Sequence, residues 1–423
     1  MSGAPTLNAG FIPLIDAAPL LVAERLGLAA AEGVTLNLSR ETSWATIRDR
    51  LSVNHLDVAH ALAPLPLAAN LGLGPMDARM IVPICFGTGG NTVTVATHVA
   101  EAIRQAEGAS APAAMSARTS APFDPSAAVA GLKRLVRERD AAGLRKLVFG
   151  IVHPHSAHRY QLAYWLASGG IVPGRDISLL VLPPALLPSA LEAGRIDGFC
   201  AGEPWGSTAV ASSAGTILTT NAHIWRGSPE KVLAVNAEWA EPNRDALLRL
   251  VRAIYRACLW CDDAENHGAL ADLLAGDDAV GTPRALIANS LARTLPASSD
   301  TKVAVDGFLQ FAGGAVSFPW VSHAFWFATQ MDRWHETTLS ASVSKRVWQT
   351  WRPDLYREAL ADLDVDVPAA NAKVEGAIAE DLAVGSTSGR LKLGPDGFFD
   401  RRVFDIDRIE AYIADLKAAD ANA

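Results

Sequence analysis

The chain has 423 residues, half of them hydrophobic and 19% charged, which is material for two or three packed cores and excludes disorder throughout. Lys and Arg number 37 against 45 Asp and Glu, a formal net charge of −8 that excludes a general nucleic-acid coat but leaves room for a local basic pocket. No run approaches the ~20 apolar residues of a membrane-spanning helix.

In chain order, the first hundred residues alternate short strands with helices. Strands are expected over 7–14, 34–38 and 56–61. Helices are expected over 17–26, ended at Gly27, then over 46–53 and 64–71. This alternation predicts a largely parallel sheet covered by helices. Residues 107–126, rich in Ala, Ser, Pro and Gly, read as a loop or insertion. Two consecutive strand–helix–strand units follow: strands 147–152, 177–182 and 196–200, helices 156–167 and 187–193. A strand over 232–236 leads into a long helix opened by Pro242. The remainder reads as mainly helical and Trp-rich, its tryptophans mostly core, with an aromatic and charged stretch at 397–405 and a last helix at 406–418.

Cys258 and Cys261 have the C-x-x-C spacing of redox pairs, but they continue the helical face of Leu247, Leu250, Val251 and Ile254 and so read as core, as do Cys85 and Cys200. The opening residues carry no basic stretch, apolar leader core or lipid-accepting Cys, so the expected location is the cytoplasm.

Unusual polar residues gather at strand ends and turns, where open α/β sheets place ligands. Trp44 lies in a strand-to-helix turn, and Gly89-Gly90-Asn91 ends an apolar strand. His153, His155 and His158 fill another strand-to-helix turn. Pro183-Pro184 ends the next strand, Gly202-Glu203-Pro204-Trp205-Gly206 the one after, and Lys231 follows a Ser-Pro-Glu turn. Indole, carboxamide and imidazole N–H groups around one ammonium suit a small anion, as does a helix N-terminus. His153 and His155 read as cap and turn residues rather than metal ligands. Glu203 reads as a cation partner or helix cap rather than a catalytic acid. The run CFGTGGN lacks the spacing of a phosphate loop.

The segments FIPLIDAAPLLVAERLGL, ETSWATIRDRL, DVAHALAPLPL, HRYQLAYWLASGGI, IDGFCAGEPWG and SPEKVLAVNAEW resemble the nitrate- and bicarbonate-binding proteins of ABC transporters, and equally the related cytoplasmic nitrate/nitrite sensor NasS. The similarity runs from about Phe11 to Cys261. It implies an α/β fold of the type II periplasmic-binding-protein kind, two lobes with the ligand cleft between them. The expected division is 1–91 for the first part of lobe I, 92–227 for lobe II and 228–423 for the return to lobe I with a helical C-terminal extension. The resemblance places the ligand-binding tryptophan on Trp44 and the histidine on His158. It places a proline-rich wall on Pro183 and Pro184, and the lysine on Lys231. The family's glutamine falls on Asn91, one methylene shorter. Bicarbonate-binding relatives carry an acidic residue at the Lys231 position and use calcium, so the lysine favours nitrate or nitrite with no metal and no cofactor.

The function expected first is therefore a non-enzymatic cytoplasmic nitrate/nitrite sensor. It would hold an ANTAR-type (NasT-like) antiterminator protein and release it when the anion binds, with no direct contact to nucleic acid or membrane. The alternative is the nitrate receptor of an ABC transporter. A third reading is an enzyme resembling a pyrimidine-precursor synthase, an activity that also occurs on this fold.

Overall fold

The computed structural model describes residues 4–76, 78–108, 121–297 and 301–421. Its strands are β1 (Thr6–Phe11), β2 (Thr35–Arg40), β3 (Val58–Leu62), β4 (Met80–Ile81), β5 (Cys85–Gly89), β6 (Asn91–Ala96), β7 (Val148–Ile151), β8 (Ser178–Val181), β9 (Gly198–Gly202), β10 (Gly215–Thr220), β11 (Pro229–Asn236), β12 (Thr294–Pro296), β13 (Lys302–Ala304), β14 (Leu309–Gln310), β15 (Leu382–Ala383) and β16 (Lys392–Leu393).

Two mixed sheets carry the molecule. The first has the order β14-β5-β11-β3-β1-β2, with β4 pairing β11 off that path; the second runs β10-β6-β9-β7-β8. In the first, β1 is parallel to β2 and β3, while β11 enters antiparallel beside β3. In the second, β7 is parallel to β8 and β9, and β6 is antiparallel to β9 and β10. The chain passes from the first sheet to the second between Gly89 and Asn91 and returns between Thr220 and Pro229. Both Gly89 and Gly90 have positive φ, and a Cβ on Gly89 would lie 2.1 Å from the Phe308 carbonyl oxygen, so that crossing needs glycine.

The sequence explains the elements around the sheets. Pro19 and Pro64 sit in the first turns of helices Ala18–Arg25 and Pro64–Asn70, where a missing N–H costs nothing. Ser43 and Ser156 cap helices Trp44–Ser52 and Ala157–Ser168 by accepting from Thr46 and Arg159 N–H. Helix Arg244–Asp262 buries Leu247, Leu250, Val251, Ile254, Cys258 and Cys261, so the C-x-x-C pair is core, with both thiols pushed up by burial. Trp320, Trp326 and Trp351 are likewise buried, whereas Trp348 is 44% exposed.

Two expectations need correction. The first strand ends at Phe11 rather than residue 14; the chain then turns into a 3-10 segment, Ile15–Ala17. The C-terminal part is not helical throughout. Between helices Pro353–Leu360 and Ile409–Ala421 it is mostly irregular, with only the β15–β16 pair and a short 3-10 turn. There Arg357 donates to the carbonyls of Pro368, Ala369 and Ala370, and Asp366 accepts from the Ser388 and Arg390 N–H groups. These bonds replace a periodic apolar face. Most of the loop expected at 107–126 lies outside the described residues. No helix among the described residues is long and apolar enough to cross a membrane.

Candidate functional site

Lys231 lies on β11, between β3 and β5. The ladder to β5 shifts register on both sides of Lys231. Side chains normally alternate across a strand, but this irregularity accompanies two consecutive side chains that meet. Lys231 Nζ donates to Glu230 Oε1 at 2.9 Å and to Asp16 Oδ2 at 2.8 Å. Asp16 comes from the 3-10 turn after β1, the segment set by the early end of that strand. Its other oxygen, Oδ1, accepts from His60 Nε2 on β3 at 3.0 Å. His60 Nδ1 accepts from the Ile12 N–H at 3.4 Å, which fixes the ring as the neutral Nε2–H tautomer.

The two lobes meet over this cluster. From the second, His158 Nδ1 lies 2.8 Å from Glu230 Oε1. Beside it, the Ile15 N–H donates to the Glu203 carbonyl at 3.2 Å. Further along helix Ala157–Ser168, Arg159 and Tyr160 each reach Glu336 at 2.5 Å. Trp44 packs against both cationic and imidazole groups, its ring centroid 5.6 Å from Lys231 Nζ and 5.3 Å from the His60 ring. Asn91 opens β6 opposite Gly202 on β9. A Cβ on Gly202 would stand 3.2 Å from Asn91 Oδ1 and 3.5 Å from Asp16 Oδ2, so the glycine leaves the space between them open.

Trp44, Asn91, His158 and Lys231 are all at most 1% exposed. In this sealed place Trp44 Nε1, both polar atoms of the Asn91 amide, and His158 Nε2 have no hydrogen-bond partner. Each such buried group costs on the order of 1–3 kcal/mol if it stays unpaired, so this cluster is the candidate site. Lys231 spends two of its three N–H donors on carboxylates, and one remains.

The charge state follows from the same contacts. Burial pushes Lys231 down, but the Asp16 and Glu230 carboxylates outweigh it and hold the ammonium above its ordinary value. Burial pushes Asp16 up, but Lys231 and His60 outweigh it and bring the carboxyl to about 2. Glu230 is likewise lowered, burial being outweighed by Lys231 and then His158. Burial lowers His60 despite Asp16. One ammonium thus faces two carboxylates beside a neutral imidazole.

The lysine supplies positive charge, as expected, but the sequence reading missed the acidic residues that offset it. Asp16 hides in the apolar run FIPLIDAAPL, and Glu230 reads as the end of a Ser-Pro-Glu turn, whereas β11 already includes it. Gln161, one helical turn beyond His158, is also fully buried with neither amide atom partnered.

Pro183 and Pro184 start a 3-10 turn after β8, the edge strand of the second sheet, and no described contact joins them to the cluster. Glu203 is a cap. It accepts from the Ser207 N–H at 3.1 Å and from the Thr92 and Ser290 hydroxyls at 3.3 Å, with its carboxyl pushed up by burial. His153 Nδ1 accepts from the His155 N–H, and burial brings its ring down to about 3. Among the described residues no group of three or more His, Cys, Asp or Glu is arranged to hold a metal.

A family model described as the NMT1-like family matches residues 2–275. The nitrate import ATP-binding protein NrtC of Synechocystis sp. is 34% identical over 360 residues, covering 84% of this chain and 50% of the relative, so the chain spans about half of that protein's length. The bicarbonate-binding protein CmpA of Synechococcus elongatus is 27% identical over 433 residues, covering 97% of this chain and 86% of the relative. In three dimensions the crystal structure of the periplasmic nitrate-binding protein NrtA from Synechocystis PCC 6803 matches with a TM-score of 0.83 at 25% identity, covering 98% of this chain and 99% of that one.

Proposed function

Since the chain belongs to the NMT1-like family, we propose that it is a solute receptor of an ABC-type importer, binding nitrate or nitrite at the buried polar cluster between its lobes. The lobes divide in this reading at 1–91 with 228–423, and at 92–227. The observation that carries it is the pair of buried, unpartnered donors on Trp44 and Asn91 beside the free N–H of Lys231, with the His158 ring, bonded to Glu230 through Nδ1, next to them. Nitrate is flat, singly charged and too weak a base to be held by protonation. It must be held by donors in a dry site, where charge-assisted hydrogen bonds outweigh hydration. Asp16 and Glu230 outnumber Lys231 in charge, so repulsion from the cluster acts on any anion and about twice as strongly on a dianion such as sulfate as on nitrate, which its hydrogen bonds must hold.

The relatives above, by their names, bind or import nitrate or bind bicarbonate. The ANTAR-type partner and the synthase-like enzyme find no counterpart among them, so the receptor reading stands ahead of the sensor expected first from the sequence. One observation favours bicarbonate as a second ligand. Glu230 Oε2 is buried with no partner, and bicarbonate has an O–H to donate where nitrate has none. Lys231 argues the other way, given the acidic residue at that position in bicarbonate-binding relatives.

Isothermal calorimetry with nitrate, nitrite, bicarbonate, chloride and sulfate tests the proposal. Nitrate or nitrite is expected to bind one-to-one without added metal, and sulfate not at all. Tighter binding of bicarbonate would select the second ligand; no anion binding would remove the function. Fractionating the native cells then separates the two roles, since a receptor is recovered outside the cytoplasmic membrane and a sensor inside.

A further inference from the structure

A cavity of about 360 Å³ lies beside the two chain crossings, lined among others by Thr88 of β5 and by Gly227. Its size is at the low end of the ~300–1,000 Å³ usual for small-molecule sites. Most charged groups in it are already paired. Lys373 bridges Glu375 and Asp396, and Arg293 stands 3.3 Å from Asp262, which also accepts from the Phe311 N–H.

Other groups have unused capacity. Thr88 and His323 are 4% and 3% exposed, yet the Thr88 hydroxyl and His323 Nδ1 have no hydrogen-bond partner. His323 Nε2 faces Glu375 at 3.3 Å, and Trp225 and Trp351 pack edge-on to the ring. At the rim, Asp381, just before β15, and Lys392 of β16 are exposed, and neither joins an ion pair among the described residues. The cavity thus offers one anion and one cation at its mouth and unsatisfied neutral polar groups deeper in. Such a pattern suits a small zwitterion with a polar side chain.

We infer that this cavity is a second ligand site, taking a free polar α-amino acid: its ammonium meets Asp381, its carboxylate Lys392, and its side chain Thr88 and His323. The inference does not depend on which anion fills the cleft.

Calorimetry and thermal melting of the full chain, with and without nitrate, against each proteinogenic amino acid provide the test. At least one amino acid with a polar side chain is expected to bind one-to-one, to raise the melting temperature, and to do so whether or not nitrate is present. Asp381→Asn and Lys392→Gln, both at exposed positions, are each expected to weaken it about tenfold or more. The N-acetyl form of the same amino acid, lacking the ammonium, is expected to fail. No binding by any amino acid at about 10 mM overturns the inference. So does equal binding of the N-acetyl form, competition with nitrate, or undiminished affinity in both rim variants.

Discussion

Replacing Lys231 by Met removes the ammonium while keeping a long, flexible stem in the pocket. In the native protein that ammonium lies 2.8 Å from Asp16 and 2.9 Å from Glu230. Its loss leaves two buried carboxylates with no cation between them. Stranding a buried charge typically costs about 3–5 kcal/mol, so the variant should be measurably less stable. Binding suffers twice, through the lost charge-assisted donor and through the unopposed carboxylates. The expected loss is about 2–4 kcal/mol, or roughly 30- to 700-fold in Kd. The assay is calorimetry with nitrate on protein shown by circular dichroism to be folded. A compensating variant makes the reasoning sharper. Lys231→Met combined with Glu230→Gln leaves one buried carboxylate, which restores the native excess of one negative charge. The double variant should therefore recover part of both the stability and the affinity. Native affinity in Lys231→Met, or a double variant no better than the single one, would refute the charge argument.

Trp44→Phe keeps the aromatic wall and removes the unpartnered N–H, so nitrate affinity should fall by about 1–2 kcal/mol with little change in stability; an equal affinity by calorimetry would show that the indole donates nothing to the ligand. Stability should also fall in acid. Asp16 and Glu230 have native values below their unfolded ones, so they stabilise fully above about pH 4.5, and that contribution is lost as pH falls toward about 2; urea melts across this range should show the decline, and Lys231→Met should flatten it. Lys231 has the opposite sign. Its contribution is complete below about pH 10 and lost as pH rises through its elevated native value. Finally, Cys258 and Cys261 are buried thiols raised by burial, so iodoacetamide at neutral pH should label them only after denaturation; rapid native labelling would contradict the core assignment.

Much of this was legible in the sequence because strands and helices announce themselves by periodicity and by helix-ending residues such as Gly27, which takes positive φ after helix Ala18–Arg25. The lobe crossing at Gly89-Gly90-Asn91 was visible as a break in an apolar run. Trp44, His158 and Lys231 stood out through the resemblance, and the structure joins them around one cluster. Asp16 did not, because nothing in FIPLIDAAPL separates a buried ligand-pocket carboxylate from a turn residue; only the early end of β1 brings it under Lys231. Glu230 was hidden because Ser-Pro-Glu reads as a turn, whereas β11 starts at Pro229 and its register shift at Lys231 brings the two side chains together. The irregular stretch before the last helix was misread as mainly helical because its order comes from side-chain bonds to backbone, which leave no repeating pattern.

The central claim is that unpartnered donors in the buried polar cluster await a flat monoanion. A crystal structure of the protein grown with nitrate tests it most directly. The account predicts one nitrate within about 2.7–3.2 Å of Trp44 Nε1, the Asn91 amide nitrogen and Lys231 Nζ, with Lys231 still held between Asp16 and Glu230; His158, whose Nδ1 faces the Glu230 carboxylate, adds an Nε2–H donor only as the doubly protonated ring. Nitrate bound elsewhere, or a pocket in which those nitrogens pair with the protein and leave no room for an ion, would contradict it.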